Sequence, residues 1–226
     1  MTKKKIFVLA LAVCLVAVLS FGTLAWFTDD DSATNNFYIA DSNDTADDVF
    51  SVDVKEDVQQ DGKTAENGVD GYDFTDLLPG EKVKKAPYVM NTTSAARGHN
   101  QYIRVTVTVT KAGKIADITG KNDISTMVEG FNFTNLVEDS RTYDQATDTM
   151  TYVYYVNKIV AAQEKVELFT HIQLPGEEIT REEAAEIDGF SMNIKAEAVQ
   201  TEYVLATYSG DVVADAKASF VAVGMN

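Results

Sequence analysis

The sequence predicts a mostly β protein, an antiparallel jelly-roll-like β-sandwich with one to three short helices, preceded by a cleavable N-terminal signal helix. Three observations favour this class. Segments of strand-type alternation recur along the chain, and the strongest of them covers residues 102–111. The connections between these segments vary in length and show no β-α-β rhythm, which argues for an antiparallel sandwich. The chain also begins with a leader that is basic and then apolar.

The leader occupies residues 1–25. Three lysines at positions 3–5 form its basic start, and residues 6–19 are a continuous apolar run. Thr23 and Ala25 are small residues at the third and first positions before a cleavage bond between Ala25 and Trp26. We therefore expect a signal peptide that is removed after Ala25, and an extracellular or cell-surface protein.

Two alternatives for the leader stay open. The mildly interrupted apolar stretch 6–27 exceeds the roughly 20 residues that span a bilayer, so the leader could be kept as an anchor. The tetrapeptide that ends at Cys14 loosely resembles a lipoprotein cleavage site, although the bulky Val13 precedes the cysteine. In all three cases the lysines stay inside and the acidic residues 29–31 lie outside. Membrane contact is expected only through an uncleaved leader.

The charge of the chain limits its partners. There are 35 acidic and 19 basic residues, for a net charge of −16. Cleavage after Ala25 removes three lysines and no acidic residue, so −16 becomes −19. Such a surface repels phosphate backbones, which argues against nucleic-acid binding. Cys14, in the leader, is the only cysteine, so the rest of the sequence offers neither a disulfide nor a thiolate metal site.

The mature chain divides into two parts. Residues 26–48 are predicted to be an extended N-terminal segment that ends in a short acidic loop, DSNDTADD, at 41–48. Residues 49–226 are predicted to be the β-sandwich domain. Residues 57–71 read as a turn-rich stretch within it, and Pro79-Gly80 marks a further turn.

Residues 102–111 carry the clearest strand pattern. Four β-branched residues alternate with Arg104 and three threonines, which is typical of a strand with one face in a core and the other in water. Further strands are predicted by the apolar residues at 37–39 and 49–54, by the Tyr- and Val-rich stretch from Met150, by a single run from Lys165 and by the alternation from Phe190 to Ala198.

Helix signals are few. Thr180 and Glu183 form a capping box in front of an Ala- and Glu-rich segment that ends at Gly189. Residues 211–223 are predicted to form a second helix near the C-terminus. Residues 123–129 give a weaker third signal.

No catalytic motif is present in the sequence. The two histidines, His99 and His171, do not begin a His-Glu-x-x-His motif, and we expect the first in a loop and the second in a strand. A Gly-x-Ser-x-Gly elbow and a Gly-rich phosphate loop are absent, and the mature chain has no cysteine nucleophile. Adjacent carboxylates such as those at 177–178 and 182–183 read as solvated surface. The sequence therefore predicts no catalytic residue, no cofactor and no enzyme.

Calcium is the one ligand that the acidic stretches leave open. Aligned as an EF-hand loop, residues 41–52 place Ala46 where a glycine is needed and Val52 where a bidentate glutamate is needed, so that motif fails. A calcium site made of backbone carbonyls and scattered aspartates stays an alternative.

Two regions resemble a known family. The junction GTLAWFTDDDSATNNF is similar to the Thr-x-Ala-x-Phe-Thr/Ser/Asn-Asp stretch of the TasA/camelysin proteins, here at Thr23, Ala25, Phe27, Thr28 and Asp29. In the body, LLPGEKVKKAPYVMN resembles that family's Leu-x-Pro-Gly-Asp/Glu segment and the strand that follows it and ends in asparagine. The stretch NIKAEAVQTE resembles its late Ile-x-Ala-x-Ala-x-Gln strand.

The resemblance implies export through a signal peptidase of the SipW type and a role in biofilm-matrix fibres or at the cell surface. In such fibres a segment near the mature N-terminus of one subunit is donated as a strand to the sheet of the next. Carried over to this sequence, the donated segment lies within residues 26–40, with Trp26, Phe27, Phe37 and Ile39 as the candidate assembly contacts. Its aspartates and asparagines make it an unusually polar donor strand.

The expected partners are therefore other copies of this chain and other matrix or cell-surface components. Two alternatives remain. The protein could be a monomeric adhesin-like module that binds through its loops, or it could share the metallopeptidase activity attributed to camelysin-type proteins. For that activity the sequence offers no ligand set.

Overall fold

A computed structural model describes residues 28–33, 50–60, 63–64, 80–94, 99–120, 123–124, 127–173, 180, 182–183, 187, 189–202 and 204–225. Residues 28–33, 58–60 and 63–64 are described by their backbone alone. The strands in chain order are β1 (Thr28–Ala33), β2 (Val52–Gln60), β3 (Lys63–Thr64), β4 (Lys82–Asn91), β5 (Gln101–Thr110), β6 (Val128–Glu129), β7 (Leu136–Asp144), β8 (Thr149–Val156), β9 (Lys165–Glu167), β10 (His171–Gln173) and β11 (Met192–Gln200). Within these residues, two helices are described from end to end: α1 (Ala112–Thr119) and α2 (Val212–Ala222).

The strands form two antiparallel sheets. Sheet A has the order β1-β11-β5-β8-β7, and sheet B has the order β3-β2-β4-β10-β6 with β9 also paired to β4. Buried residues of both sheets form one hydrophobic cluster, so the sheets pack face to face. The predicted class, a mostly β antiparallel sandwich with short helices, is confirmed.

The strongest predicted strand, β5, lies at the centre of sheet A between β11 and β8. Its four β-branched residues Ile103, Val105, Val107 and Val109 are all buried, while Arg104 and the threonines between them are half-buried. The alternation in the sequence therefore gave the correct inner face.

Three predictions, of a turn-rich stretch, a strand and a helix, need correction. Strand β2 continues to Gln60, so the start of the predicted turn-rich stretch 57–71 is wrong; ladder pairing to β4 extends as far as Gln59. The single strand predicted from Lys165 is two short strands, because the buried Leu168 and Phe169 separate β9 from β10. The helix signal at 123–129 is wrong at its end, where Val128 and Glu129 form β6 and Val128 pairs with Ile172 of β10.

Two predicted helix signals are confirmed. Glu183 and Thr180 form a reciprocal capping box, in which the Glu183 amide donates to Thr180 Oγ1 at 3.2 Å and the Thr180 amide donates to Glu183 Oε2 at 2.7 Å. Asp211 caps α2 by accepting from the Ala214 amide at 3.0 Å. Helix α1 was not predicted. It begins after Lys111, whose left-handed φ of 56° comes with no side-chain cap.

Helix α2 covers the outer face of sheet A. Phe220 and Ala216 of the helix form a second cluster of buried residues with Tyr102, Tyr155 and Val199 of the sheet. The Phe220 ring meets the Tyr155 ring edge-on, with 5.8 Å between their centroids. This packing fixes the C-terminal part of the chain on strands β5, β8 and β11.

The predicted signal helix and the predicted strand at 37–39 lie outside the described residues. Within the described part of the chain, no helix has the length and apolar character needed to cross a bilayer.

Candidate assembly edge

The candidate assembly segment, residues 26–40, is described in part. Ala25, Trp26, Phe27, Phe37 and Ile39, the predicted cleavage and contact residues, lie outside the described residues. Between them, Thr28–Ala33 forms β1 and pairs antiparallel with β11 of the same chain. The segment thus contains a strand, as a donor segment requires.

Among the strands that the structure describes, β1 is one of the two terminal strands of sheet A. Its register with β11 runs from Thr28 opposite Val199 to Ala33 opposite Ile194. Strand β1 also lies near β2 of sheet B. It therefore closes the sandwich at the edge where β11 would otherwise be exposed.

The inner face of β11 carries apolar side chains, two of which are small. Ile194, Ala196 and Ala198 are buried in the main core, and the two alanines are completely inaccessible to solvent. The register places Asp31 opposite Ala196 and Asp29 opposite Ala198. Cross-strand partners share one face of a sheet, so Asp29 and Asp31 occupy register positions on the inner face of sheet A. Charged residues on edge strands are a recognised means of discouraging further strand pairing.

The other face of β11 carries an ion pair. Arg104 of β5 donates from Nε to Glu197 Oε2 at 2.9 Å, and both side chains are nearly buried. Lys195 Nζ approaches Glu197 Oε1 at 3.1 Å from the same strand. Strand β11 has β5 on one side and β1 on the other, and the residue of β1 opposite Glu197 is Asp30. The acidic residues Asp30 and Glu197 are therefore direct cross-strand neighbours, and Glu197 is the one that pairs with Arg104.

Helix α2 supports this ion pair from above. The Arg104 guanidinium carbon lies 4.7 Å from the centroid of the Phe220 ring, and Nη1 donates to the Met225 carbonyl at 3.2 Å. Burial, together with the charge of Asp215, raises the pKa of the neighbouring Tyr102. The β5-β11 pair is thus fixed on its outer face, independently of β1.

A buried polar layer closes the sandwich at the end where β11 finishes. It consists of Asn91, Thr93 and Gln101, none of which is accessible to solvent. Asn91 Nδ2 donates to the carbonyls of His99 at 2.9 Å and of Val160 at 3.0 Å. Gln101 Nε2 donates to the Ser51 carbonyl at 2.8 Å and to Thr93 Oγ1 at 3.1 Å. These bonds join both sheets to the loop that follows β8.

The two histidines lie in different parts of the described fold. His99 lies outside the strands and His171 lies in β10, as predicted from the sequence. Within the described residues, no three His, Cys, Asp or Glu side chains are grouped so that they could hold a metal ion. The acidic loop 41–48, where calcium was an alternative, lies outside those residues.

Sequence reasoning identified β11 and the segment that contains β1, but it missed Arg104 and Glu197 as partners. The signal was present: each is a charged residue at an outer position of a strand whose inner positions are apolar. Pairing them required the strand order of sheet A, which a single sequence does not reveal.

In comparisons with known proteins, no protein-family model and no curated protein matches the chain.

Proposed function

We propose that this chain is an exported structural subunit that assembles with other copies by donating its mature N-terminal segment to a neighbouring sheet. The observation that carries the proposal is the position of β1. It comes from the predicted donor segment, and among the described strands it is one of the two terminal strands of sheet A and pairs with β11.

The same pairing can be made within one chain or between two. An antiparallel ladder to β11 uses backbone hydrogen bonds that are the same whichever copy supplies the strand. The sheet without β1 retains its outer-face contacts, because Arg104, Glu197 and Phe220 belong to other elements. An edge with these properties can accept a strand from a second copy.

Charge is expected to regulate the exchange. Asp30 is opposite Glu197 in the ladder. The whole chain has a net charge of −16, and loss of the three leader lysines gives the mature chain a predicted net charge of −19. Like charges opposed across a ladder weaken it, and salt screens them over about 8 to 10 Å at moderate ionic strength. We therefore expect assembly to increase with ionic strength or with added divalent cations.

Mixed single-cysteine variants of the secreted form that begins at Trp26 test the proposal directly. One protein carries Ser32→Cys and the other carries Lys195→Cys, because these two residues are register partners. The mature sequence contains no other cysteine. Antiparallel partners are separated by about 4.5 to 5.5 Å between Cα atoms, a distance that a disulfide can join. Oxidation of the mixture should give covalent heterodimers.

The matched control mixes Ser32→Cys with Lys158→Cys, because Lys158 is a half-buried loop residue that is distant in sequence from β11. It should give much less heterodimer. The double variant Ser32→Cys/Lys195→Cys then separates the alternatives: crosslinking only within monomers, with light scattering that stays monomeric at high concentration and high salt, would rule out strand donation. That outcome would favour the monomeric binding module.

A further inference from the structure

Two opposite charges lie inside the sandwich between neighbouring strands of sheet B. Lys85 of β4 and Glu56 of β2 have side-chain exposures of 4% and 2%. Lys85 Nζ lies 2.5 Å from each oxygen of the Glu56 carboxylate. The nitrogen is equally distant from the two oxygens. It therefore lies in the plane that passes midway between them and contains the carboxyl carbon Cδ.

Both residues occupy inward positions that their strands otherwise fill with apolar side chains. In β2, Glu56 follows the buried Val52 and Val54 at a spacing of two. In β4, Lys85 stands between the buried Val83 and Pro87, again at a spacing of two. The register places Glu56 opposite Pro87, so Lys85 is its diagonal neighbour on the same face.

An ion pair in this position is a costly way to hold two strands together. Removing both charges from water costs several kcal/mol for each ion, which their attraction seldom recovers in full. A neutral link between the same atoms would remove that cost, since an amide needs far less solvation than two ions. The remaining sequence from residue 26 onward has no cysteine, so a disulfide cannot serve as the crosslink.

We propose that Lys85 and Glu56 join through an intramolecular isopeptide bond. One proton passes from the Lys85 ammonium to a Glu56 carboxylate oxygen across the contact, which leaves a neutral amine and a neutral acid. The Nζ lone pair attacks Cδ and forms a tetrahedral intermediate. The C–N bond is completed as a C–O bond breaks, and the departing hydroxyl takes a proton from Nζ and leaves as water. No oxidant, cofactor or external group is consumed.

The geometry favours this step in two respects. Folding holds nucleophile and electrophile in contact, which replaces an encounter in solution by a reaction within one molecule. The partners come from strands that are 29 residues apart in sequence, so the bond closes a long loop and restricts the unfolded chain as a disulfide would. The bond does not depend on strand donation, and each proposal can fail without the other.

The test is the intact mass of the secreted protein under denaturing conditions. We expect a mass lower than that of the sequence by one water molecule. Tryptic digestion should leave the bond after Lys85 uncut and give a branched peptide that contains both Lys85 and Glu56, identified by fragmentation. Fragmentation is needed because a cyclic imide at Asp70-Gly71 would also lose one water.

Lys85→Met and Glu56→Met should each restore the full mass, whereas the neighbouring Lys84→Met should keep the deficit. If the core variants do not fold, the wild-type digest still decides. Full mass with two separate linear peptides in the wild-type protein overturns the proposal, as does a water loss that maps to another site.

Discussion

Arg104 on the central strand β5 and Glu197 on β11 are joined by a hydrogen bond of 2.9 Å from Nε to Oε2, on the face of sheet A that helix α2 covers. The same guanidinium also contacts the Phe220 ring and the carbonyl of Met225. One side chain therefore connects β5, β11 and the C-terminal segment that contains α2.

Replacing Arg104 by methionine should lower the free energy of unfolding by about 2 to 4 kcal/mol, because Glu197 would remain nearly buried without its main cation. Urea denaturation measures the change. Lys195→Met is the matched control, since Lys195 contacts the same carboxylate but is 39% exposed; its effect should stay below about 1 kcal/mol. Equal effects of the two variants would show that Arg104 has no special role.

Asn91 should be the most sensitive residue of the polar layer. Asn91→Ala removes the donor to the His99 carbonyl and the acceptor of the buried Thr93 amide, whereas the Val160 carbonyl still accepts from the Gln101 amide. Each unpaired buried group costs about 1 to 3 kcal/mol, so we expect a loss of about 2 to 4 kcal/mol in denaturant titration. Asn193→Ala, at a half-buried outer position of β11, should change stability by less than about 0.5 kcal/mol. A mild effect at Asn91 would contradict the hydrogen bonding described.

Asp215 should make the attachment of α2 dependent on pH. The Ser209 amide, at 2.7 Å, is the main cause of the lowered pKa of its carboxyl, and the Ser209 hydroxyl and the Gly210 amide lower it further. A lowered pKa stabilises the folded state at pH values above the ordinary value of 3.8, and this contribution disappears as the pH falls through the folded pKa.

Asp215→Asn should therefore be less stable than the wild type near neutral pH, and the two stability curves should converge below about pH 4. Thermal unfolding at a series of pH values measures this. The exposed Asp117→Asn on α1 serves as the control and should show no such convergence. A constant gap between Asp215→Asn and the wild type at every pH would exclude the electrostatic explanation.

Asp30 should destabilise the β1-β11 ladder through its position opposite Glu197. Asp30→Asn is expected to increase the free energy of unfolding by about 0.2 to 1 kcal/mol at low salt. The gain should shrink in concentrated salt, because screening already weakens the repulsion in the wild type. Ser32→Asn, opposite Lys195, is the comparison and should show no salt-dependent gain. Identical salt responses of both variants would contradict the register.

The sequence was most informative where side chains decide the structure. Strand β5 alternates between buried and half-buried side chains from Ile103 to Thr110, and Asp211 caps α2 at the predicted start of that helix. Strand β7 was not predicted, because Leu136 is its only buried residue and backbone pairing to β8 holds the rest. Strand β6 is two residues long and exists through its pairing with β10, which a local pattern cannot show.

The candidate edge follows the same rule. Strand β1 lies in the segment that was proposed as a donor for its place after the leader, but its register was not predictable, because acidic residues alternate through β1 without indicating which face borders the core. Glu56 and Lys85 did leave a signal, since each replaces an apolar residue in a strand of period two. That signal identifies a pair only when the two strands are known to be neighbours.

Strand β1 begins at Thr28, and the expected cleavage bond precedes Trp26, so only two residues separate the leader from the ladder. Two extended residues reach about 7 Å. Before cleavage, such a short tether would hold sheet A almost against the bilayer, with little freedom to turn toward another subunit. On the proposed function, removal of the leader does more than release the protein: it gives the strand the freedom to pair with its own sheet or with a neighbour, and so sets the time and place at which the proposed assembly can start.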